Sequence, residues 1–243
     1  MVLAIDFGNT QIKTAVFEYN NLINKQIISY PDWQKTFKKL LKNYPLIQNI
    51  VLASVVNNTF SNLLHLAKNI NCTIIDHQTR FPFTNLYTTP QTLGIDRMVL
   101  AAGAIFKFPD QNRLVIDLGT CITYDFIDKN NNYLGGAISP GLQMRYKSLH
   151  EFTSKLPLLA TEMPKNSVGN STSQAIHSGV VNGVIYEIEG FCNAHFTNDA
   201  NFIIILTGGD SIFLANRLKN TIFANSNFLL ESLNQTFQYN QND

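Results

Sequence analysis

Residues 3–18 read LAIDFGNTQIKTAVFE, and residues 114–128 read LVIDLGTCITYDFID. Both begin with a leucine and an apolar pair, reach an aspartate, and continue through an apolar residue to a glycine. Short polar side chains follow, then an alternating apolar segment. Each stretch reads as strand, tight turn, strand: a β-hairpin that carries its polar residues in the turn. Asp6 and Asp117 lie 111 positions apart. That spacing is far longer than a solenoid repeat and fits the duplication of a whole domain.

The rest of the chain falls into two halves around these hairpins. After the first come a helical stretch at 33–43, a strand at 50–55, a helix at 60–69 and a strand at 73–75. After the second, GGAISPG at 135–141 turns into a long helical region. A helix over 174–195 leads to the strand at 202–206, TGGD at 207–210 opens another helix, and a short strand and a C-terminal helix close the chain. Strands alternating with helices predict α/β units in each half. The polar turn PDQNR at 109–113 sets the boundary, giving domains 1–112 and 113–243.

Bulk composition narrows the function. Of 243 residues, 45% are hydrophobic and only 14% charged, so a sizeable core is expected. The formal net charge is +1, which gives no electrostatic reason to expect nucleic acid or an anionic membrane as a partner. Cys72, Cys121 and Cys192 are far apart. An odd number without CxxC spacing argues against a disulfide framework or zinc site and for a reducing compartment. The five histidines are scattered, none at ligand spacing from another. No apolar run approaches the ~20 residues of a membrane span, and Asp6 interrupts the first one, so no signal peptide is read. A soluble cytoplasmic protein is expected.

The repeated turn has a chemistry. Gly8 and Gly119 permit positive φ and leave room for a ligand to approach the backbone. Backbone N–H groups and short polar side chains after them suit phosphate oxygens. Asp6 would repel phosphate directly, but it can hold a metal ion or the metal's waters, and the metal bridges to phosphate. A turn in which Asp bonds its own backbone explains one copy equally well. Two copies at matching places favour a metal nucleotide. No GxxxxGK[ST] or GxGxxG occurs, so neither a P-loop nor a Rossmann site is supported.

Residues 87–106 read YTTPQTLGIDRMVLAAGAIF. From Ile95 onward, Val99, Ala102, Ile105 and Phe106 share a helical face. Asp96 then sits in the helix's first turn, where it could simply complement the helix dipole. Alternatively, it is a carboxylate base for a substrate hydroxyl, with Arg97 recognising an anionic group.

DFGNT, LGIDR, DLGT, GGAISPG followed by Met144, Gly169–Thr172 before AIHSG, and TGGD occur in this order. Each is weak alone, but the ordered set closely resembles the type III pantothenate kinases. The resemblance implies two duplicated ribonuclease-H-like (actin-like ATPase) domains that clasp a nucleotide, each a mixed sheet with flanking helices. It implies ATP-dependent phosphorylation of pantothenate at its primary hydroxyl, the first step of coenzyme A synthesis. Asp6, Gly8, Asn9 and Thr10 would cradle phosphates with Mg²⁺, directly or through water, and Lys13 would close that turn. Gly119 and Thr120 would form the second phosphate turn, and Asp117 would help hold a monovalent cation, K⁺ or NH₄⁺. Asp96 would be the base. Arg97, Tyr87 and Thr172 would contact pantothenate, with Gly94 letting the backbone approach. The family works as a homodimer, with Thr172 reaching the neighbouring subunit's site.

Cys121 stands where the family usually has Ala, and Asn170 and Ser171 where it usually has Lys and Asn; neither departure removes a group assigned to chemistry. Two alternatives stay open: another kinase of the superfamily, acting on a sugar or short carboxylic acid, and a non-catalytic nucleotide-binding regulator. The LGIDR setting of the carboxylate speaks against the first, and the presence of both Asp6 and Asp96 against the second.

Overall fold

The computed structural model describes residues 1–8, 10–53, 63, 65–67, 69–195, 202–218 and 222–241. In chain order these form β1 (Val2–Phe7), β2 (Ile12–Glu18), β3 (Asn21–Ile28), α1 (Trp33–Asn43), β4 (Asn49–Ala53), β5 (Asn71–Ile75), β6 (Thr84–Asn85) and α2 (Ile95–Lys107). There follow β7 (Asn112–Leu118), β8 (Cys121–Ile127), β9 (Asn132–Pro140), α3 (Leu142–Glu151), α4 (Thr172–His177), a π-helical turn (Ser178–Asn182) and α5 (Gly183–His195). The chain ends in β10 (Phe202–Thr207), α6 (Ser211–Ala215), β11 (Ile222–Ala224) and α7 (Phe228–Gln241). Half of the helix expected over 60–69 and the last two residues of the strand expected over 50–55 lie outside the described residues.

Two compact units result. The first comprises Met1–Asp110, Ile127–Gly135 and Asn227–Asp243. Its five-stranded sheet runs β3-β2-β1-β4-β5. The hairpin partners β1 and β2 are antiparallel, and β4 and β5 add in parallel. Every residue of β1 is buried, because the sheet is covered on both faces. On one face Leu3, Ile5 and Phe7 meet Trp33, Phe37 and Leu40 of α1. Those three fall at helical spacing on one side of α1, while Lys35, Lys38, Lys39 and Lys42 point to water. Each large apolar side chain so buried contributes about 1.5–3 kcal/mol before entropy is counted. α7 packs against α2, β1 and β4. A Cβ on Gly103 would lie 1.8 Å from Ser232 Oγ, so a glycine is required where these two helices cross.

The second unit comprises Gln111–Phe126 and Gly136–Ser226. Its strands neighbour one another in the order β11-β10-β7-β8-β9, with β10 parallel to both β7 and β11. The core joins Leu114, Ile116, Leu118, Ile122 and Tyr124 of the hairpin to Val180, Val181, Val184 and Ile188 of the long helical segment. The helix expected over 174–195 is present, but it begins at Thr172 and widens into one π-helical turn.

Two expectations are corrected. β3 was not anticipated: NLINKQII is only partly buried and alternates poorly, as an edge strand does. GGAISPG is not a turn into a helix. Residues 135–140 continue β9, and α3 starts only at Leu142. A Cβ on Gly136 would fall 1.5 Å from the Tyr124 carbonyl oxygen, so close backbone approach within the sheet accounts for that glycine.

Candidate active site

In the first unit, register places Asp6 opposite Lys13 across β1 and β2. The Lys13 ammonium lies 3.9 Å from Asp6 Oδ2. Asp6 is 5% exposed. Burial pushes its carboxyl up from 3.8 to about 6; Lys13 opposes that shift and the Asp96 charge adds to it. Asp6 and Asp96 therefore feel one another's field. Gly8 is tight, since a Cβ there would meet the Gln11 carbonyl oxygen at 3.0 Å. The Tyr30 hydroxyl donates to the Gly8 carbonyl oxygen at 2.7 Å. Thr10 is exposed beyond the turn, and Asn9 lies outside the described residues.

Asp96 is half-buried in the first turn of α2, whose N-cap is Gly94. Its Oδ1 accepts the Arg97 backbone N–H at 2.9 Å. A Cβ on Gly94 would stand 2.4 Å from that same oxygen. Glycine is thus what lets the carboxylate lie back over the helix start. Arg97 is buried, and its guanidinium carbon is 6.0 Å from the Tyr87 ring centre, at the limit of a cation–π contact. Tyr87 in turn lies edge-on to Tyr133 at 6.2 Å and beside Gly135. Of the residues expected from sequence, the fold of this unit brings Tyr87, Gly94, Asp96 and Arg97 together.

In the second unit, Asp117 lies near the end of β7, opposite Thr207 of β10. Gly208, with φ of +94°, leads the next turn. A Cβ on it would lie 2.4 Å from the Leu118 carbonyl oxygen and 2.5 Å from Asp117 Oδ1. Asp210 N–H donates to that Leu118 carbonyl at 3.1 Å. TGGD does open a helix, α6, but one of only five residues, with a carboxylate, Asp210, at its N-cap. That short helix is a weak anion site. Gly119 and Thr120 join β7 to β8, with Thr120 exposed. Thr172 is the exposed first residue of α4, and Ser171 is its N-cap, accepting from Gln174 N–H. The departure at Ser171 therefore has a local explanation, since serine is a favoured cap.

Among the described residues no group of three or more His, Cys, Asp or Glu could hold a metal ion. A divalent cation would have one carboxylate here, Asp6, and would complete its shell with water and phosphate oxygens. The raised carboxyl of Asp6, with its nearest ammonium 3.9 Å away, fits such a cation. A cavity of about 270 Å³ in the second unit is lined by Lys165, Asn182, Tyr186, Glu189 and Arg217, among others, and shares no residue with either acidic turn. Sequence reasoning missed Tyr30, which carries no motif and finds Gly8 only through the fold.

A family model described as type III pantothenate kinase matches residues 2–194. The chain belongs to that family. The type III pantothenate kinase of Flavobacterium johnsoniae is 57% identical over 239 residues, covering 98% of each chain. That of Christiangramia forsetii is 46% identical over 241 residues, covering 99% of each. Among solved structures, a Campylobacter jejuni protein proposed to be a Baf family transcriptional activator superposes with a TM-score of 0.65 at 23% identity, covering 99% of this chain and 100% of that one. A Sinorhizobium meliloti protein proposed to be a 2-dehydro-3-deoxygalactonokinase gives 0.58 at 10% identity, covering 98% and 99%. At those identities the likeness establishes the fold alone: duplicated α/β halves of the actin-like type, which the two mixed sheets of this type III kinase display.

Proposed function

We propose that this type III pantothenate kinase transfers the terminal phosphoryl group of ATP to the primary hydroxyl of pantothenate, with Asp96 as the base. The product is 4′-phosphopantothenate, the first intermediate of coenzyme A synthesis. One observation carries the assignment of roles. A carboxylate at a helix start, with a glycine making room for it, stands beside a buried arginine and a tyrosine, within electrostatic reach of a second, buried carboxylate.

Phosphoryl transfer asks mainly for positioning and charge neutralisation. Asp96 accepts the hydroxyl proton as the bond to phosphorus forms. Arg97 pairs with the pantothenate carboxylate, and Tyr87 and Gly94 shape the space around it. Gly8, Thr10 and Gly119–Thr120 offer backbone N–H and hydroxyl donors to phosphate oxygens, joined in the first turn by Asn9 and by Lys13. Asp6 would hold Mg²⁺, directly or through water, and the ion would neutralise phosphate charge. Asp117 contributes to a site for K⁺ or NH₄⁺. The enzyme acts as a cytoplasmic homodimer in which Thr172 serves the neighbouring subunit's site. Among the described residues no helix is long and apolar enough to cross a membrane.

Transfer of labelled phosphate from ATP to a panel of acceptors tests the reading. Pantothenate should be labelled, in a reaction accelerated by K⁺. Labelling of a sugar or a short carboxylic acid with pantothenate inert would overturn it.

A further inference from the structure

The second phosphate turn has a support that no motif announces. Arg145, in the first turns of α3, directs its guanidinium back along the chain. Nε donates to the Pro140 carbonyl oxygen at 2.8 Å, and Nη2 donates to Ser139 Oγ at 2.7 Å and to Glu187 Oε2 at 2.5 Å. Glu187, on α5, also accepts from the Ser139 hydroxyl at 3.1 Å and the buried Tyr124 hydroxyl at 2.8 Å. Burial raises the Glu187 carboxyl, but these donors outweigh it and hold the group below its ordinary value. Arg145 is thereby fixed by a charge-assisted network drawn from one helix and two strands.

The geometry beyond Pro140 gives the network a target. The Pro140 carbonyl and the Gly141 N–H belong to one planar peptide unit. Arg145 holds its oxygen, and its N–H donates to the Thr120 carbonyl oxygen at 3.1 Å. A Cβ on Gly141 would lie 2.3 Å from the Gly119 carbonyl oxygen and 2.6 Å from that of Thr120, so this peptide is stacked directly on the turn. A rigid unit gripped at both ends transmits position from the guanidinium to the Gly119–Thr120 backbone.

We infer that Arg145, held by Glu187, is a positioning residue for the nucleotide: through the 140–141 peptide it fixes the turn whose donors face phosphate. The inference rests on the assignment of Gly119–Thr120 to phosphate. It predicts a selective defect. Arg145→Met should weaken Mg-ATP binding and raise KM for ATP by about tenfold, because donors displaced with the turn no longer meet phosphate oxygens squarely. KM for pantothenate should stay within about twofold, because uniform binding of the other substrate is untouched. Arg145→Lys keeps the charge opposite Glu187 but cannot reproduce the fork to Ser139 and Pro140. It should melt like the wild type and still bind ATP poorly.

The test is calorimetric titration of the full-length wild type and both variants with Mg-ATP in the absence of pantothenate, alongside melting curves and both KM values. Weakened ATP binding at an unchanged melting temperature in Arg145→Lys supports the inference. Unchanged ATP affinity in Arg145→Lys, or a pantothenate KM that rises as much as that for ATP, overturns it. No ATP binding by the wild type would sink the phosphate assignment itself. Wild-type ATP binding without pantothenate turnover would sink the proposed reaction and leave this inference standing.

Discussion

The two acidic turns share a sequence signature and are built differently. In the first, the aspartate is almost wholly removed from water, its carboxyl rises to about 6, and its nearest ammonium is 3.9 Å away. The Tyr30 hydroxyl donates to the backbone of that turn. In the second, Asp117 is half-buried, and the turn is packed against two glycine backbones, Gly141 and Gly208, at distances that no side chain allows. One copy of the duplicated hairpin concentrates charge. The other concentrates shape. In the roles proposed above, the first turn would add a divalent cation to its phosphate donors, and the second would hold its donors in fixed positions.

The largest expected effect concerns the carboxylate that shares the first turn's field. Asp96→Asn should lower kcat by about 10²–10⁴-fold, the usual range for losing a general base. Mg-ATP affinity by titration should be nearly unchanged. Next is the glycine contact of the second turn. Gly208→Ala combines a positive φ with a collision at 2.4 Å, so it should destabilise the protein by roughly 1–3 kcal/mol, read as a fall in melting temperature, and weaken ATP binding.

The two aspartates themselves give the sharpest contrast. In the folded protein Asp6 holds its proton more tightly than in the unfolded chain, titrating near 6 instead of 3.8. Its contribution to stability is therefore present below pH 3.8 and lost as pH rises through 6. Asp6→Asn should raise the melting temperature at pH 7–8, by an amount corresponding to roughly 1–3 kcal/mol, with little gain near pH 4, while turnover falls. Asp117→Asn should alter the response to K⁺. An Asp6→Asn melting profile without that pH dependence would erase the charge of the first turn as a distinguishing feature.

Smaller effects follow. Arg97→Ala should raise KM for pantothenate by about tenfold and leave KM for ATP unchanged in steady-state assays. Tyr30→Phe removes one hydrogen bond to Gly8, of about 1 kcal/mol; a few-fold rise in KM for ATP is expected.

What sequence made legible was whatever short-range chemistry dictates. The Asp-x-Gly pattern, Asp96 in a helix start and the helix over 33–43 each follow from neighbouring residues, and all appear in the structure. Partnerships between distant residues did not show. Tyr30 reaches Gly8 across 22 positions and Arg145 reaches Glu187 across 42, with no spacing rule to announce either. That α7 packs on β1 and β4 is likewise a long-range partnership. The glycine pair in GGAISPG signalled a turn because close approach of strand backbones uses the same residue. Ser171 looked like a departure in a substrate motif until its place at the N-cap of α4 was seen.

The central claim is that this chain phosphorylates pantothenate. A coupled assay of ADP release, with pantothenate present and absent, tests it most directly. The account predicts release that depends on pantothenate, rises with K⁺, and falls at least about a hundredfold in Asp96→Asn. ADP release indifferent to pantothenate, or near-normal turnover in Asp96→Asn, would contradict it.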